Sequence, residues 1–529
     1  MISKLINLCI LTILTGICFS QSGRDPIRSL DVLKYDLHIE LSDANDTILV
    51  REHIHLKLLS DTVLSFDLVG RTEDGKGMLV YAVEVNGAQA VYEQTREQLF
   101  IKGTRLSVGE IVDVNLVMTG VPIDGLIIGK NKYGDRTFFG DNWPNRAHHW
   151  YACNDHPADK ALFEFVVTAP EEYSVIANGI QVLTVPENEG FSTWTFQTKE
   201  PIPTKVAVIG VARFSISDFG PVNQVPSVSA YVYPQNEKEG FYDLSLAPEI
   251  LNWFEKKIAP YPFEKLANVQ STTRYGGMEN ASCIFYDENA IDGKRSMESL
   301  IAHEIAHQWF GNSATESDFS HLWLSEGFAT YLTNIYILET KGEEVFYRQM
   351  DKDRAKVIGF GKRIQLPVID TLTYDLNQLL NANAYQKGSW FLHMLRMKLG
   401  DEVFWKSIRN YYSKFEYGNA VSTDFQAIVE SNCTCEMDVF FNQWLYSSEN
   451  PTLKIKVKGR KRNITVKVDQ LQQDQFDLML EIDFLLKGQT VQNEKLHLTD
   501  KSQVFKLTLA DRIEKFTIDP KRKLLIDLR

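Results

Sequence analysis

Two histidines in the middle of the chain have the spacing of a metal site carried on a helix. His303 and His307 are four positions apart, and positions i and i+4 lie on one face of a helix, so both imidazoles can reach one ion. Glu304 directly follows the first histidine, close enough to hydrogen-bond a metal-bound water. This spacing is typical of zinc sites in which the glutamate is the general base. Without a third ligand, the two histidines would be only a polar pair on a helix surface.

A third zinc ligand is predicted at Glu326. Zinc sites in hydrolases usually combine three protein ligands with one water. Glu326 follows His307 after enough chain for a loop and the first turn of a second helix, and it lies inside the otherwise apolar stretch Trp323–Ala329. A buried carboxylate without a partner is costly, and a metal ion would remove that cost. We therefore expect His303, His307 and Glu326 to bind one zinc ion per chain.

The elements that must carry these residues have helical spacing. From about Gly240 to Glu449 the apolar residues recur with the period of an α-helix. One helix is predicted over residues 300–310 and a second from about Trp323 to Lys341. Further helices are predicted from Asn383 and Glu402.

Both flanks of this helical segment have the period-two pattern of β-strands. From about Ser29 to Phe214 apolar and polar residues alternate, and the same alternation returns after Pro451. Individual strands are predicted at Val112–Met118, Phe163–Thr168 and Trp194–Gln197. The expected fold class is therefore multidomain α+β.

Composition and charge exclude some classes of protein. The chain has 529 residues, of which 44% are hydrophobic and 24% are charged, as is typical of a globular protein. Its 56 basic and 69 acidic residues give a net charge of −13. A nucleic-acid partner is not expected, because phosphate binding requires a dense lysine and arginine surface.

The first 20 residues are predicted to be a secretory signal peptide. Lys4 supplies a short positive segment, an apolar run extends from Leu5 to Phe19, and cleavage is expected before Gln21. The alternative is a membrane anchor, but the run is shorter than the roughly 20 apolar residues that a spanning helix requires. No later segment is apolar enough to span a membrane. We therefore expect export to a periplasmic or extracellular location.

Four cysteines lie outside the predicted signal peptide, which itself contains Cys9 and Cys18. Cys433 and Cys435 are too close together for a zinc-ribbon ligand pair. Export permits disulfides, but the spacing does not define a pairing. We expect structural thiols at all four of these positions, which are Cys153, Cys283, Cys433 and Cys435.

Four motifs in order resemble the aminopeptidase N family of gluzincin metallopeptidases. The zinc motif and its downstream glutamate match that family, and so does the stretch Asp155–Ala161, which resembles the end of its N-terminal β-domain. Residues 383–388 resemble the segment with the family's catalytic tyrosine, here Tyr385. The family's exopeptidase motif Gly-Ala-Met-Glu-Asn is matched by Gly276, Gly277, Met278, Glu279 and Asn280. Glycine replaces alanine at position 277, an exchange of small residues that is expected to be neutral.

The resemblance implies a zinc-dependent aminopeptidase, a hydrolase that removes residues one at a time from peptides with a free N-terminus. In this family, zinc lowers the pKa of its bound water to about 7 and polarises the scissile carbonyl. Glu304 is then the base that takes the water proton and delivers it to the leaving amine. Tyr385 is expected to stabilise the oxyanion through a hydrogen bond.

The resemblance also implies how the substrate is bound. Glu279 is expected to bind the free ammonium, and Gly276 and Gly277 to let the backbone approach the substrate. Relatives often have a second amine contact about ten residues before the position of Cys153. An ungapped count places this contact at Trp143, with the neighbouring Asp141 and Asn142 as alternatives.

Three other functions remain open. An endopeptidase with the same zinc site would not need the ammonium anchor at Glu279. An epoxide hydrolase would act on a lipid epoxide. A catalytically inactive binding protein is less favoured, because every predicted catalytic residue is present.

The predicted domains follow from the patterns and the resemblance together. Residues 1–20 form the signal peptide and residues 21–214 the N-terminal β-domain. Residues 215–450 form a thermolysin-like, mostly helical zinc peptidase domain, and residues 451–529 a C-terminal β-sandwich. Relatives commonly continue into a helical domain that covers the cleft. We expect a short form without it, whose kcat/KM depends weakly on peptide length.

Overall fold

The computed structural model describes residues 30–60, 63–103, 105–459 and 461–529. The predicted signal peptide, with Cys9 and Cys18, lies outside the described residues. Among the helices of these described ranges, none has both the length and the apolar character needed to cross a membrane. The described chain has a β-rich N-terminal part, a helical middle part and C-terminal strands, which confirms the multidomain α+β class.

The N-terminal part is built from strands whose buried and exposed residues largely alternate. In β1, for example, Tyr35, Leu37 and Ile39 are buried while His38 and Glu40 are exposed, as expected for a strand with one face on a core. The strands are β1 Leu30–Glu40, β2 Ile48–Leu58, β3 Leu64–Asp67, β4 Gly77–Val85, β5 Ala88–Gln89, β6 Val91–Gln94, β7 Gln98–Lys102, β8 Ile111–Val121, β9 Leu126–Lys130, β10 Arg136–Gly140, β11 Lys160–Pro170, β12 Ser174–Ala177, β13 Ile180–Pro186, β14 Phe191–Gln197, β15 Ile202–Pro203 and β16 Ile209–Ala212.

The main sheet of this part has the strand order β13-β14-β11-β1-β2-β8-β4-β5, and β15 also pairs with β11. The first strand is an inner strand, because β1 pairs antiparallel with β2 on one side and parallel with β11 on the other. Tyr35 on β1 stacks on Phe163 of β11, with ring centroids 5.0 Å apart. Two smaller sheets, β12-β16-β10-β9 and β3-β7-β6, complete the region.

The middle part contains the helices and a mixed sheet. Its strands are β17 Ser215–Asp218, β18 Val228–Val232, β19 Leu266–Ser271, β20 Gly277–Met278, β21 Cys283–Asp287, β22 Thr315–Glu316 and β23 Asn419–Ala420. Its helices are α1 Glu237–Leu244, α2 Ala247–Lys257, α3 Glu298–His307, α4 Trp323–Lys341, α5 Glu343–Gly361, α6 Gly388–Leu399, α7 Asp401–Phe415, α8 Ser422–Cys433 and α9 Asp438–Phe441. A π-helix, Asn383–Lys387, leads directly into α6.

Two features of this part differ from the sequence-based expectation. The helix predicted over residues 300–310 ends at His307, because the chain then turns and Phe310 forms a β-bridge with Ala314. The sheet β17-β18-β19-β21-β20 includes a strand that the period-two pattern did not predict. All six residues of β19 are buried, so the strand has no polar face to create an alternation.

The C-terminal part consists of strands in two sheets, β28-β25-β24-β30 and β27-β26-β29. These strands are β24 Thr452–Lys458, β25 Asn463–Gln470, β26 Leu478–Leu486, β27 Val491–Leu498, β28 Ser502–Thr508, β29 Ile513–Ile518 and β30 Asp527–Leu528.

The expectation of four structural thiols is wrong for two of the cysteines. Cys433 and Cys435 form a disulfide at the end of α8, where the intervening Thr434 has a positive φ of 53° and turns the chain back. Cys153 and Cys283 are buried.

Candidate metal centre

The three predicted zinc ligands converge on one point. The Nε2 atoms of His303 and His307 lie 3.1 Å apart, and each lies 3.3 Å from Oε2 of Glu326. His307 and Glu326 are almost fully buried, and His303 is one-fifth exposed. Glu326 Oε2 accepts no hydrogen bond from the described residues. Two imidazole nitrogens and one carboxylate oxygen, with an open side at His303, form the donor set of a catalytic zinc site.

Hydrogen bonds also orient the ligands for a metal. The Nδ1 atom of His307 lies 3.1 Å from the carbonyl oxygen of Phe310, to which its N–H can donate. The lone pair of His307 is then on Nε2, which faces the other two ligands. Ser325, the residue before the third ligand, lies 3.1 Å from the same Nδ1. The residues therefore fit a zinc ion.

Helices α3 and α4 position the ligands, because both histidines are in the last turns of α3 and Glu326 is in the first turn of α4. The turn between the helices depends on Gly311, which has a φ of 122°, where a side chain would also collide with Ser325. Phe310 packs on Phe328, with ring centroids 4.7 Å apart.

The charges around the ligands favour a cation. Although burial opposes it, the carboxylates of Glu326 and Glu279 raise the pKa of His307 to about 10. His307 in turn lowers the pKa of Glu326, again against the effect of burial. A metal ion would replace the proton in this arrangement as the neutralising positive charge.

Glu304 faces the same space from helix α3. Its carboxylate is buried and lies with Glu279 and His307 in a group whose candidate ligand atoms are within 4.8 Å of one another. Burial raises the pKa of Glu304 well above its ordinary value, and the negative charge of Glu279 acts in the same direction. The backbone passes close by at Gly277, where a Cβ would lie 2.6 Å from the carboxylate carbon of Glu304.

The predicted substrate-binding segment, residues 276–280, includes the short edge strand β20. Glu279 is 5% exposed, and its Oε1 has no hydrogen-bond partner among the described residues. Its carbonyl oxygen accepts hydrogen bonds from the side chains of Gln308 and Asn312. Met278 is part of the core, while the buried side-chain amide of Asn280 has no hydrogen-bond partner in the described part of the chain. Gly276 has open space around it.

Tyr385 approaches the ligands from the π-helix. Its ring lies parallel to the imidazole of His303, with centroids 6.1 Å apart. Burial raises the pKa of its hydroxyl well above the ordinary value, and Glu326 and Glu279 add to this effect, so the hydroxyl keeps its proton.

The π-helix can lie this close to α4 because two glycines meet there. A Cβ on Gly327 would lie 2.9 Å from the Cα of Gly388.

The candidates for a second amine contact have other partners. Asp141 accepts hydrogen bonds from the guanidinium of Arg146 and from the backbone N–H of Arg274. Asn142 donates to two backbone carbonyls and accepts from the indole of Trp150. Trp143 is buried against the rings of Tyr275 and Phe319. The structure thus brings together the other predicted site residues, whereas Asp141 and Asn142 are engaged in hydrogen bonds elsewhere and Trp143 is packed in the core.

Two residues near the centre were missed by the sequence reasoning. Gln308 and Asn312 are fully buried and hold the backbone of Glu279. Their signal in the sequence is weak, because it consists only of two amides close behind the second histidine, with the apolar Trp309 and Phe310 between them.

Comparison with known proteins gives matches across most of the chain. Residues 242–444 match the family described as the peptidase family M1 domain, and residues 130–206 match the peptidase M1 N-terminal domain. Leucyl aminopeptidase of Saccharolobus solfataricus is 24% identical over 480 residues, which are 86% of this chain and 58% of that protein. Alanine/arginine aminopeptidase of Saccharomyces cerevisiae is 26% identical over 460 residues, which are 81% of this chain and 53% of that protein. The chain spans little more than half the length of these relatives.

A solved structure has the same fold. The crystal structure of an M1 zinc metallopeptidase variant from Deinococcus radiodurans matches 80% of this chain and 97% of its own, with a TM-score of 0.68 and 23% identity. The two family matches follow each other in the chain in the order of the parts that they describe, and the motifs that resemble aminopeptidase N lie within or beside them. The chain therefore belongs to peptidase family M1, the family of aminopeptidase N.

Proposed function

We propose that this chain is a zinc-dependent aminopeptidase that hydrolyses the first peptide bond of peptides with a free N-terminus. The observation that carries the proposal is the carboxylate of Glu279. It is buried, its Oε1 is without a hydrogen-bond partner among the described residues, and it lies beside His307 of the converging metal ligands. A buried carboxylate of this kind requires a cation, and the ammonium of a peptide supplies one. The names of the aminopeptidase relatives support the same function.

The proposed metal ligands are His303, His307 and Glu326, with one zinc ion per chain. When bound, zinc lowers the pKa of a coordinated water and polarises the scissile carbonyl. The contact between Nδ1 of His307 and the carbonyl oxygen of Phe310 orients the imidazole, and the first turn of α4 holds Glu326, so the three ligand atoms converge on one point.

Glu304 is proposed as the general base. Its raised pKa makes the carboxylate a better proton acceptor than an exposed glutamate, and it lies in the same group as His307 and Glu279. It takes the proton of the attacking water and delivers it to the amine that leaves. Tyr385 keeps its phenolic proton and donates a hydrogen bond to the carbonyl oxygen as negative charge develops there.

The segment Gly276–Asn280 is proposed to bind the N-terminal residue of the substrate. Glu279 holds the ammonium, while the strand β20 offers backbone groups next to Glu304. A fixed distance between the ammonium contact and the base selects the first peptide bond. An endopeptidase would gain nothing from this contact, because its substrates have no ammonium at that position.

The proposed function is tested with aminoacyl chromogenic substrates and their N-acetylated counterparts. We expect about one zinc per purified chain, turnover of the free-amino substrates, loss of turnover with a chelator and its return with zinc. Acetylation should reduce kcat/KM by about tenfold or more, the size of a lost hydrogen bond to a charged group. Equal cleavage of free and acetylated substrates would contradict the proposal and favour the endopeptidase. Full activity without metal would contradict the zinc site.

A further inference from the structure

We propose that Gln308 and Asn312 are positioning residues that hold the ammonium contact at a fixed distance from the metal ligands. The inference rests on the proposed function, since it concerns how Glu279 comes to select the first peptide bond. Neither side chain touches the reacting groups. Both act through the backbone of Glu279.

The two side chains share one hydrogen-bond acceptor, the backbone carbonyl oxygen of Glu279. The backbone oxygen of Glu279 accepts a hydrogen bond of 2.9 Å from Nε2 of Gln308 and one of 2.6 Å from Nδ2 of Asn312. A carbonyl oxygen has two lone pairs, so these two donors use its full capacity. All three residues are buried, where a hydrogen bond is hard to replace by water. The backbone of Glu279 is therefore fixed in position as well as in direction.

Both donors belong to the chain that continues the metal helix. Gln308 directly follows His307, and its backbone N–H donates to the carbonyl of Ile305. The backbone N–H of Asn312 donates to the carbonyl of His307 over 3.1 Å. Any movement of the ligand His307 is thus transmitted to both donors and from them to Glu279.

Further hydrogen bonds hold the two donors in place. Oε1 of Gln308 accepts from the backbone N–H of Ser282 over 2.9 Å, so this single amide binds the chain on both sides of Asn280. The carbonyl oxygens of Asn312 and Ser313 accept from the ammonium of the partly buried Lys160, which comes from strand β11. The N-terminal part of the chain thereby supports the turn that supports Glu279.

The functional consequence is a fixed separation between the ammonium contact and the metal. Displacement of a bound group by about 1 Å can reduce a rate by about a hundredfold. Substitution of Gln308 or Asn312 should loosen Glu279 and weaken the recognition of the substrate amine. The metal ligands stay intact in such variants and continue to bind zinc.

The experiment measures the binding of two hydroxamates to the zinc-loaded protein by calorimetry. One is leucine hydroxamate, and the other is its analogue without the amino group, 4-methylpentanehydroxamate. Both can bind a metal, so the ratio of their Kd values reports the amine contact alone. We expect the parent protein to bind leucine hydroxamate at least about tenfold more tightly than 4-methylpentanehydroxamate. In Gln308→Met the ratio should fall below about threefold, with unchanged zinc content and unchanged affinity for the analogue.

Gln470→Met is the matched control. Gln470 is also a buried glutamine that accepts from one backbone N–H and donates to a backbone carbonyl, both of Phe476, but it lies in the C-terminal strands. This variant should lose stability and keep the parent's ratio. In a Glu279→Gln background, adding Gln308→Met should not change the ratio further, because the contact that it positions is already lost.

Different results would contradict the positioning role of Gln308 and Asn312 and the proposed aminopeptidase function. A folded, zinc-loaded Gln308→Met protein with the parent's ratio would overturn the positioning role. If that variant does not fold, Asn312→Ala removes the other donor, and an unchanged ratio there would overturn the role in the same way. A parent protein that binds both hydroxamates equally would instead contradict the aminopeptidase proposal itself.

Discussion

Gly277 and Glu304 make a contact that can be tested by adding a single carbon atom. In Gly277→Ala the new Cβ would lie 2.6 Å from the carboxylate carbon of Glu304 and also against its Cγ. Ordinary van der Waals contact begins at 3.4 Å, so the carboxylate has to retreat by about 1 Å. The displaced atoms are the end of a flexible side chain, and the substitution should therefore cost little stability.

The cost should appear in catalysis, because the displaced group is the proposed base. A displacement of about 1 Å corresponds to a loss of up to about a hundredfold in rate, or roughly 2.7 kcal/mol in the barrier. We expect kcat to fall about ten- to hundredfold, with KM changed less than about threefold, since the contact to the substrate ammonium at Glu279 is retained. The sequence alone treats glycine and alanine at this position as equivalent, and the structure does not.

The assay is steady-state kinetics on a free-amino chromogenic substrate, together with the melting temperature and the zinc content. Gly359→Ala is the control, since this glycine lies in α5, outside the proposed site, and a Cβ there has no atom within 4 Å. It should keep the parent's kcat and KM. A Gly277→Ala protein with the parent's kcat would contradict this prediction, because the position of Glu304 would then not depend on the space that the glycine leaves.

Three further predictions concern single side chains. Glu304→Gln should retain zinc and lose about 10²–10⁴-fold in kcat, because the amide cannot accept the water proton; kinetics comparable to the parent's would exclude Glu304 as the base. Tyr385→Phe should lower kcat more than it raises KM, and a change in KM alone would argue against oxyanion stabilisation. Burial lowers the pKa of Lys387 from 10.5 to about 7. Between these values the unfolded state binds a proton that the folded state does not, so stability should rise with pH. In urea unfolding, the free energy of unfolding should rise more steeply with pH in the parent than in Lys387→Met, and equal slopes would contradict this prediction.

The sequence predicted the parts of the fold that have clear periodicity. Helix α4 has the predicted bounds, and strands β8, β11 and β14 contain the predicted segments. Strand β19 was missed because it is buried on both faces. The disulfide between Cys433 and Cys435 was missed because the spacing of two cysteines does not reveal that the residue between them turns the chain back.

The metal ligands could be proposed from the sequence because one helix face and one buried glutamate define them. Gln308 and Asn312 could not, since their role depends on a carbonyl of a strand that is distant in sequence. The same holds for the glycines Gly327 and Gly388, whose contact exists only after two helical segments have packed. The spacing of residues within one helix or strand could be interpreted from the sequence, whereas contacts between segments that are distant in sequence could be identified only in the structure. The signal peptide and the export of the chain stay predictions.

The parallel pairing of β1 with β11 has a consequence for how the chain folds. Until β11 has been synthesised, β1 can pair only with β2, and its other edge stays open. An open strand edge has unpaired N–H and C=O groups and is a template for pairing with other chains. The pairing is also long-range in sequence, which slows folding. We therefore expect a nascent or truncated chain that ends before β11 to be prone to aggregation, and a fragment that extends through β11 to be the shortest in which the first strand is paired on both sides.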